Sequence, residues 1–157
     1  MSIAKEQQKN KPKLEDIIVL RESMDNEAKQ IAFSFLDFCN EKNITYRWSS
    51  TNRWNLMAKS KSIGYIAIGA RKTDDNSWYI LLNHRELLQY ENFTRKENLM
   101  KIIYDNLHFC EGCNGDRGCM SCTGKLRFRN PGAEILDSVK KILDTWLHCV
   151  TESKRTK

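Results

Sequence analysis

The sequence predicts an α+β domain: a four-stranded antiparallel meander packed against helices, with a four-cysteine metal loop and a long C-terminal helix. Three observations predict it. Apolar residues recur at helical spacing from 28 to 39, alternate with polar ones from 44 to 58, and return to helical spacing after 99. Four strand-like segments follow one another with short connections, which suits antiparallel neighbours rather than parallel strands joined by crossover helices. Four of the six cysteines fall within residues 110–122. With 157 residues, 40% of them hydrophobic and only 2 prolines, the chain fits one domain with its own core and excludes a disordered or collagen-like class. That domain is expected to span 14–151 and include loop 110–124, between disordered basic tails at 1–13 and 152–157.

Leu14–Glu22, with Leu14, Ile17, Ile18 and Leu20 apolar, reads as a short helix or docking segment. Ser23 or Asp25 is the expected N-cap of the next helix. Ala28, Ile31, Ala32, Phe35, Leu36, Phe38 and Cys39 give that helix its buried face, and Asn40–Asn43 closes it. The period then becomes two. Ile44, Tyr46 and Trp48 form one strand, and Trp54, Leu56 and Ala58 a second, with the turn at 49–52. Strands at 63–69 and 78–83 follow, joined by the charged connection 71–77. A short helix is expected at 85–90. Thr94 and Glu97 have capping-box spacing ahead of a helix whose buried face is Leu99, Met100, Ile102, Ile103 and Leu107. Residues 125–129 read as a short strand. Asn130 as N-cap and Pro131 at the first helical position open the last helix, with Ile135, Leu136, Val139, Ile142, Leu143, Trp146, Leu147 and Val150 on its apolar side.

The net charge of +6 sits largely at the ends: residues 1–13 carry +3 and residues 152–157 carry +2, leaving +1 for the body. Within the body, 14–46 is net −4, whereas 47–72 holds Arg47, Arg53, Lys59, Lys61, Arg71 and Lys72 with no acid among them. No apolar run is long enough to span a membrane, and the first residues have no apolar stretch of the kind a secretory signal needs. A cytoplasmic setting with no membrane partner is the expectation.

The cysteines read Cys110-x-x-Cys113-x-Gly115 and Cys119-x-x-Cys122-x-Gly124. Two thiolates spaced C-x-x-C converge on one ion, and the trailing glycine suits a turn with backbone N–H groups directed at sulfur. Four of the seven glycines lie in or beside this loop. Paired turns of this kind supply the four-sulfur ligation of structural Zn²⁺, a closed site with no position for a reactive water. An iron–sulfur cluster uses the same four thiolates and stays open as an alternative. Arg117, Lys125 and Arg127 are close enough in sequence to offset the charge of such a site. Cys39 and Cys149 fall in helical patterns and read as core residues. His84, His108 and His148 are scattered, and no nucleophile–histidine–acid set, P-loop or dinucleotide glycine motif is present. The Asp74-Asp75 pair lies in a polar connection and reads as a turn.

The stretch Tyr46-Arg47-Trp48 to Arg53-Trp54 interleaves aromatics and cations, as nucleic-acid surfaces do. Strand parity qualifies that reading. If the two strands pair, Tyr46, Trp48, Trp54, Leu56 and Ala58 face the core, while Arg47, Arg53, Asn55, Lys59 and Lys61 face out. What remains is a basic outer face, with Arg47, Arg53, Lys59 and Lys61 as the anion or nucleic-acid candidates.

The element order, with Trp48, Trp54, the strand from Lys61 to Ile68 and Ser77-Trp78-Tyr79-Ile80, resembles small bacterial proteins of the MmcQ/YjbR and TfoX N-terminal type over about residues 25–105. That resemblance implies an α+β domain of a DNA-binding or accessory kind. The paired C-x-x-C-x-G turns resemble half of the zinc-binding region of the DnaJ chaperones, with a shorter loop between pairs and no second trailing glycine. The expectation is a zinc-stabilised intracellular binding or regulatory module for an anion, nucleic acid or acidic partner. The alternatives are a small enzyme using Tyr65, Trp78, Tyr79 and His84 in a pocket between sheet and helices, an iron–sulfur or redox protein, or a dimer formed through the last helix.

Overall fold

A computed structural model describes residues 11–22, 24–50, 52–69, 78–83, 95, 98–106 and 125–155. The elements are α1 (Leu14–Leu20), α2 (Asn26–Glu41), β1 (Thr45–Ser50), β2 (Arg53–Ala58), β3 (Lys61–Ile68), β4 (Trp78–Asn83), α3 (Met100–Asp105), β5 (Lys125–Arg129) and α4 (Ala133–Arg155). The fold is α+β, with five strands in the order β1-β2-β3-β4-β5 rather than the four expected. The additional strand is 125–129, where Leu126 and Phe128 alternate with Lys125, Arg127 and Arg129 and put two large apolar side chains on one face. The chain divides into two compact units, residues 1–78 and 79–157.

In the first unit, α2 begins where the Asp25 carboxylate accepts a hydrogen bond from the Ala28 N–H at 2.7 Å. It ends in a Schellman motif. Asn43 takes φ 57°, the Ile44 N–H donates to the Cys39 carbonyl at 2.8 Å, and the Asn43 N–H donates to that of Asn40 at 3.3 Å. Ile44 and Cys39 are both buried beside this turn. Ala32, Phe35, Leu36 and Cys39 form the buried side of α2, as the spacing predicts.

β1 pairs antiparallel with β2 and β2 with β3. β1 runs two residues past Trp48, so the turn is tighter than expected. Its Asn52 is held by two bonds, the Ile68 N–H donating to its carbonyl and its Nδ2 donating to the Gly69 carbonyl, both at 3.0 Å. Gly69 itself, at φ 59°, lies against the Arg21 guanidinium, which a Cβ there would strike. The β2–β3 hairpin closes through Lys59 and Ser60, at φ 49° and 65°, the two-residue turn with both centres left-handed. One register shift, between Leu56 and Met57, leaves Ile63 as the extra residue of β3.

In the second unit, β4 and β5 pair antiparallel, with Ile80 opposite Phe128 and Leu82 opposite Leu126, all four buried. The Asn106 carbonyl, just past α3, accepts from the Arg127 N–H at 2.9 Å. α3 starts at Met100 after Asn98 at φ 58°, so the helix expected from 94 does not run unbroken into it. The start of α4 also differs from expectation. Asn130 is at φ 42° and is not the N-cap; the first helical bond runs from the Leu136 N–H to the Gly132 carbonyl, which places Pro131 before the helix. Leu136, Val139, Ile142, Leu143, Trp146 and Cys149 are buried along α4, so this stripe is not open to a second copy of the chain. No helix among the described residues is long and apolar enough to cross a membrane.

Candidate nucleic-acid interface

The edge strand β1 is exposed at every residue except the half-buried Tyr46. Strand parity holds: Tyr46 pairs with Leu56 and Trp48 with Trp54 on one face, and Arg47 pairs with Asn55 on the other. Burial follows parity only on β2, where Trp54, Leu56 and Ala58 are buried. Trp48 departs from the expectation that the aromatics enter the core. It is 36% exposed, whereas its cross-strand partner Trp54 is 2% exposed. The physical reason is position. An edge strand has a neighbour on one side only, and β1 bulges between Trp48 and Ser50, so the last rung of the aromatic face is incompletely covered.

A hollow of about 300 Å³ opens at this place, lined by Lys11–Glu15, Tyr46–Trp48 and Trp54. Two hydrogen bonds fix its walls. The Trp54 Nε1–H donates to the Pro12 carbonyl at 3.3 Å, and the Tyr46 hydroxyl donates to Glu15 Oε1 at 2.5 Å. Burial, reinforced by this bond to the Glu15 carboxylate, raises the Tyr46 phenol to about 12, so it stays a neutral donor at any physiological pH. Leu14, 1% exposed, starts α1 behind the same wall. Lys11, Lys13 and Arg47 line the hollow beside one carboxylate, Glu15, which accepts the Tyr46 hydroxyl, and the Arg47 side chain belongs to the opposite face of the sheet. Among the described residues no ion pair engages these cations.

Sequence reasoning missed Lys11 and Lys13, which read as part of a solvated tail. The Pro12 carbonyl bonded to Trp54 is what brings them to the strand edge. Its only signal in the sequence was a proline directly ahead of an amphipathic segment.

The four candidate cations are all exposed but do not form one cluster. Arg53 lies over the Tyr65 ring, with Cζ 3.6 Å from the centroid, on the same face as Arg47. Lys59 and Lys61 sit at the far end of β2 beside the hairpin turn. Of the enzyme candidates, Trp78 is 1% exposed, Tyr65 lies beneath Arg53, and Tyr79 lies beneath Arg127 at 4.6 Å. His84 lies outside the described residues, as do His108, the Asp74-Asp75 pair, the segments 71–77 and 85–90, Thr94, Glu97 and Leu107. His148 is exposed on α4.

A larger hollow of about 580 Å³ lies in the second unit, lined by α3 and α4. It has no aromatic lining, and one of its two lysines, Lys101, is neutralised by Asp105 at 2.6 Å. Its chemistry points to no ligand.

The cysteine loop, Cys110, Cys113, Cys119 and Cys122, also lies outside the described residues. Its flanks do not. Asn106 and Arg127 are joined by the backbone bond given above, so residues 107–124 leave and rejoin the fold at one place. Among the described residues no group of histidine, cysteine or carboxylate side chains has metal-binding geometry. Cys39 and Cys149 are buried, 0% and 3% exposed, and take part in no disulfide. No protein-family model, curated protein or solved structure matches the chain.

Proposed function

We propose that this chain is a binding module for a polyanion, with nucleic acid as the partner class its surface fits, and that Cys110, Cys113, Cys119 and Cys122 hold a structural zinc ion. The observation that carries the first part is the open basic surface of the β1–β3 sheet. Arg47, Arg53, Lys59 and Lys61 are all exposed, on a stretch from 47 to 72 that contains no acid. Phosphate backbones are bound by such arrays through charge and counterion release, without a catalytic constellation.

Support for the metal comes from the donor set. Four thiolates in two C-x-x-C-x-G turns satisfy a tetrahedral ion completely, and the Asn106–Arg127 bond holds the two ends of their loop together. The ion would order that loop and leave binding to other residues. An intracellular setting belongs to the same reading, since reducing conditions keep such thiols available as ligands.

Two measurements test it. Reversing Arg47, Arg53, Lys59 and Lys61 to glutamate is expected to weaken binding of labelled mixed-sequence oligonucleotides at low salt by at least about tenfold. No binding by the wild type, or no loss in the variant, removes the assignment, and equal displacement by polyglutamate makes the partner an acidic protein. Elemental analysis of untagged protein is expected to give one zinc per chain without visible absorption. Iron with sulfide and a brown colour would replace zinc with a redox cluster.

A further inference from the structure

We infer that the hollow at the β1 edge accepts one unstacked base of a single-stranded nucleic acid, with Trp48 as its stacking surface and Lys11 and Lys13 holding the flanking phosphates. This rests on the reading of a nucleic-acid partner and narrows it to single strands.

Four features of the hollow lead there. Trp48 is not used by the core: it is 36% exposed, while Trp54, directly opposite it, is 2% exposed. An indole left open beside cations is what base stacking requires, because every base presents a π-face whatever its sequence. The volume, about 300 Å³, lies at the lower end of small-ligand pockets and suits one planar group rather than the side of a helix. In a duplex that planar face is hidden between neighbouring pairs, so only an unpaired base can enter.

Charge sets the polarity of the ligand. Lys11 and Lys13 contribute two positive charges at the rim, with Arg47 beside it on the edge strand, and the one carboxylate, Glu15, already accepts the Tyr46 hydroxyl. An uncharged apolar ligand would leave these cations without a role, whereas a nucleotide brings a phosphate on each side of its base. The walls are also fixed in advance. Trp54 binds the Pro12 carbonyl between the two lysines, and Tyr46 ties β1 to α1. Little ordering is left to be done on binding.

The test uses the full chain and fluorescence anisotropy at low salt with three probes: a labelled oligothymidylate of about twelve nucleotides, an abasic strand of the same length, and a duplex. Wild type is expected to bind oligothymidylate about tenfold or more tightly than the abasic strand. Trp48→Ala is expected to remove that difference while binding the abasic strand as wild type does, and Trp48→Phe to restore most of it. The double variant Lys11→Glu, Lys13→Glu is expected to weaken oligothymidylate and abasic strand together. Unchanged far-ultraviolet dichroism identifies folded variants, and the lysine pair, both exposed, keeps the test open if Trp48→Ala misfolds. Equal affinity for oligothymidylate and abasic strand, preference for the duplex, or an unaffected Trp48→Ala overturns the base pocket and leaves the polyanion reading standing. Binding to none of the three probes overturns both.

Discussion

Tyr46 shows how one side chain fixes the candidate site. Its ring belongs to the aromatic face of β1–β2, and its hydroxyl reaches Glu15 on α1 at 2.5 Å. The phenol ordinarily titrates near 10 and here is raised to about 12, by burial first and by the bond to Glu15 second. A raised value means the folded state prefers the protonated phenol. The stabilisation is complete below about pH 10 and is lost as pH rises toward 12. Tyr46→Phe is therefore expected to be less stable than wild type at pH 9, by about 0.5–1.5 kcal/mol for one hydrogen bond. The gap should narrow at pH 11. Chemical denaturation at the two pH values measures it: no gap at pH 9 would show that the Tyr46–Glu15 bond does not contribute, and a gap that fails to narrow at pH 11 would show that the phenol is not raised. Trp48 makes the complementary point. Parity assigns it correctly to the face shared with Trp54, yet parity gives only a direction. Whether a side chain pointing that way is covered depends on what lies beyond the strand, and β1 is an edge.

At the scale of elements, the parts decided by local chemistry were legible. Asp25 caps α2 through a bond any N-cap aspartate can make, and Asn43 closes it because asparagine tolerates positive φ at that position. β2, β3 and β4 stand where alternation and apolar runs place them. The misreadings occur where two local signals compete. Asn130-Pro131 has the look of a helix start, but asparagine is also a residue that tolerates left-handed backbone, and here that turn conformation wins. Asn130 goes to φ 42° and the helix waits for Gly132.

The β2–β3 turn shows the opposite tension. Lys59 and Ser60 both occupy positive φ, although neither residue favours it. L-residues cost roughly 1–2 kcal/mol each in that region, and asparagine–glycine is the pair that suits it. Replacing Lys59-Ser60 by Asn-Gly is expected to stabilise the protein by about 1 kcal/mol, read as a higher thermal midpoint. An unchanged or lower midpoint would mean that these side chains compensate for their backbone.

For the whole molecule, the useful quantity in the sequence was where the charge lies, not its total. A near-neutral body with an acid-free stretch at 47–72 pointed to the β1–β3 surface, and all four of its candidate cations are exposed. The sequence did not reveal that Lys11 and Lys13 join that surface at the strand edge, because the contact depends on a carbonyl of Pro12 meeting an indole 42 residues later. Charge and position together give a quantitative expectation. If Lys11, Lys13 and Arg47 each neutralise one phosphate, the logarithm of the binding constant for a single strand should fall with the logarithm of salt at a slope of about −2. Removing Lys11 and Lys13 should reduce that slope to roughly −0.7. A salt titration of oligothymidylate binding, run on wild type and on the Lys11→Ala, Lys13→Ala variant, tests the account most directly. A wild-type slope near −2 that flattens in the variant is the predicted result; a slope near zero, or one the variant leaves unchanged, would contradict a nucleic-acid interface at the β1 edge.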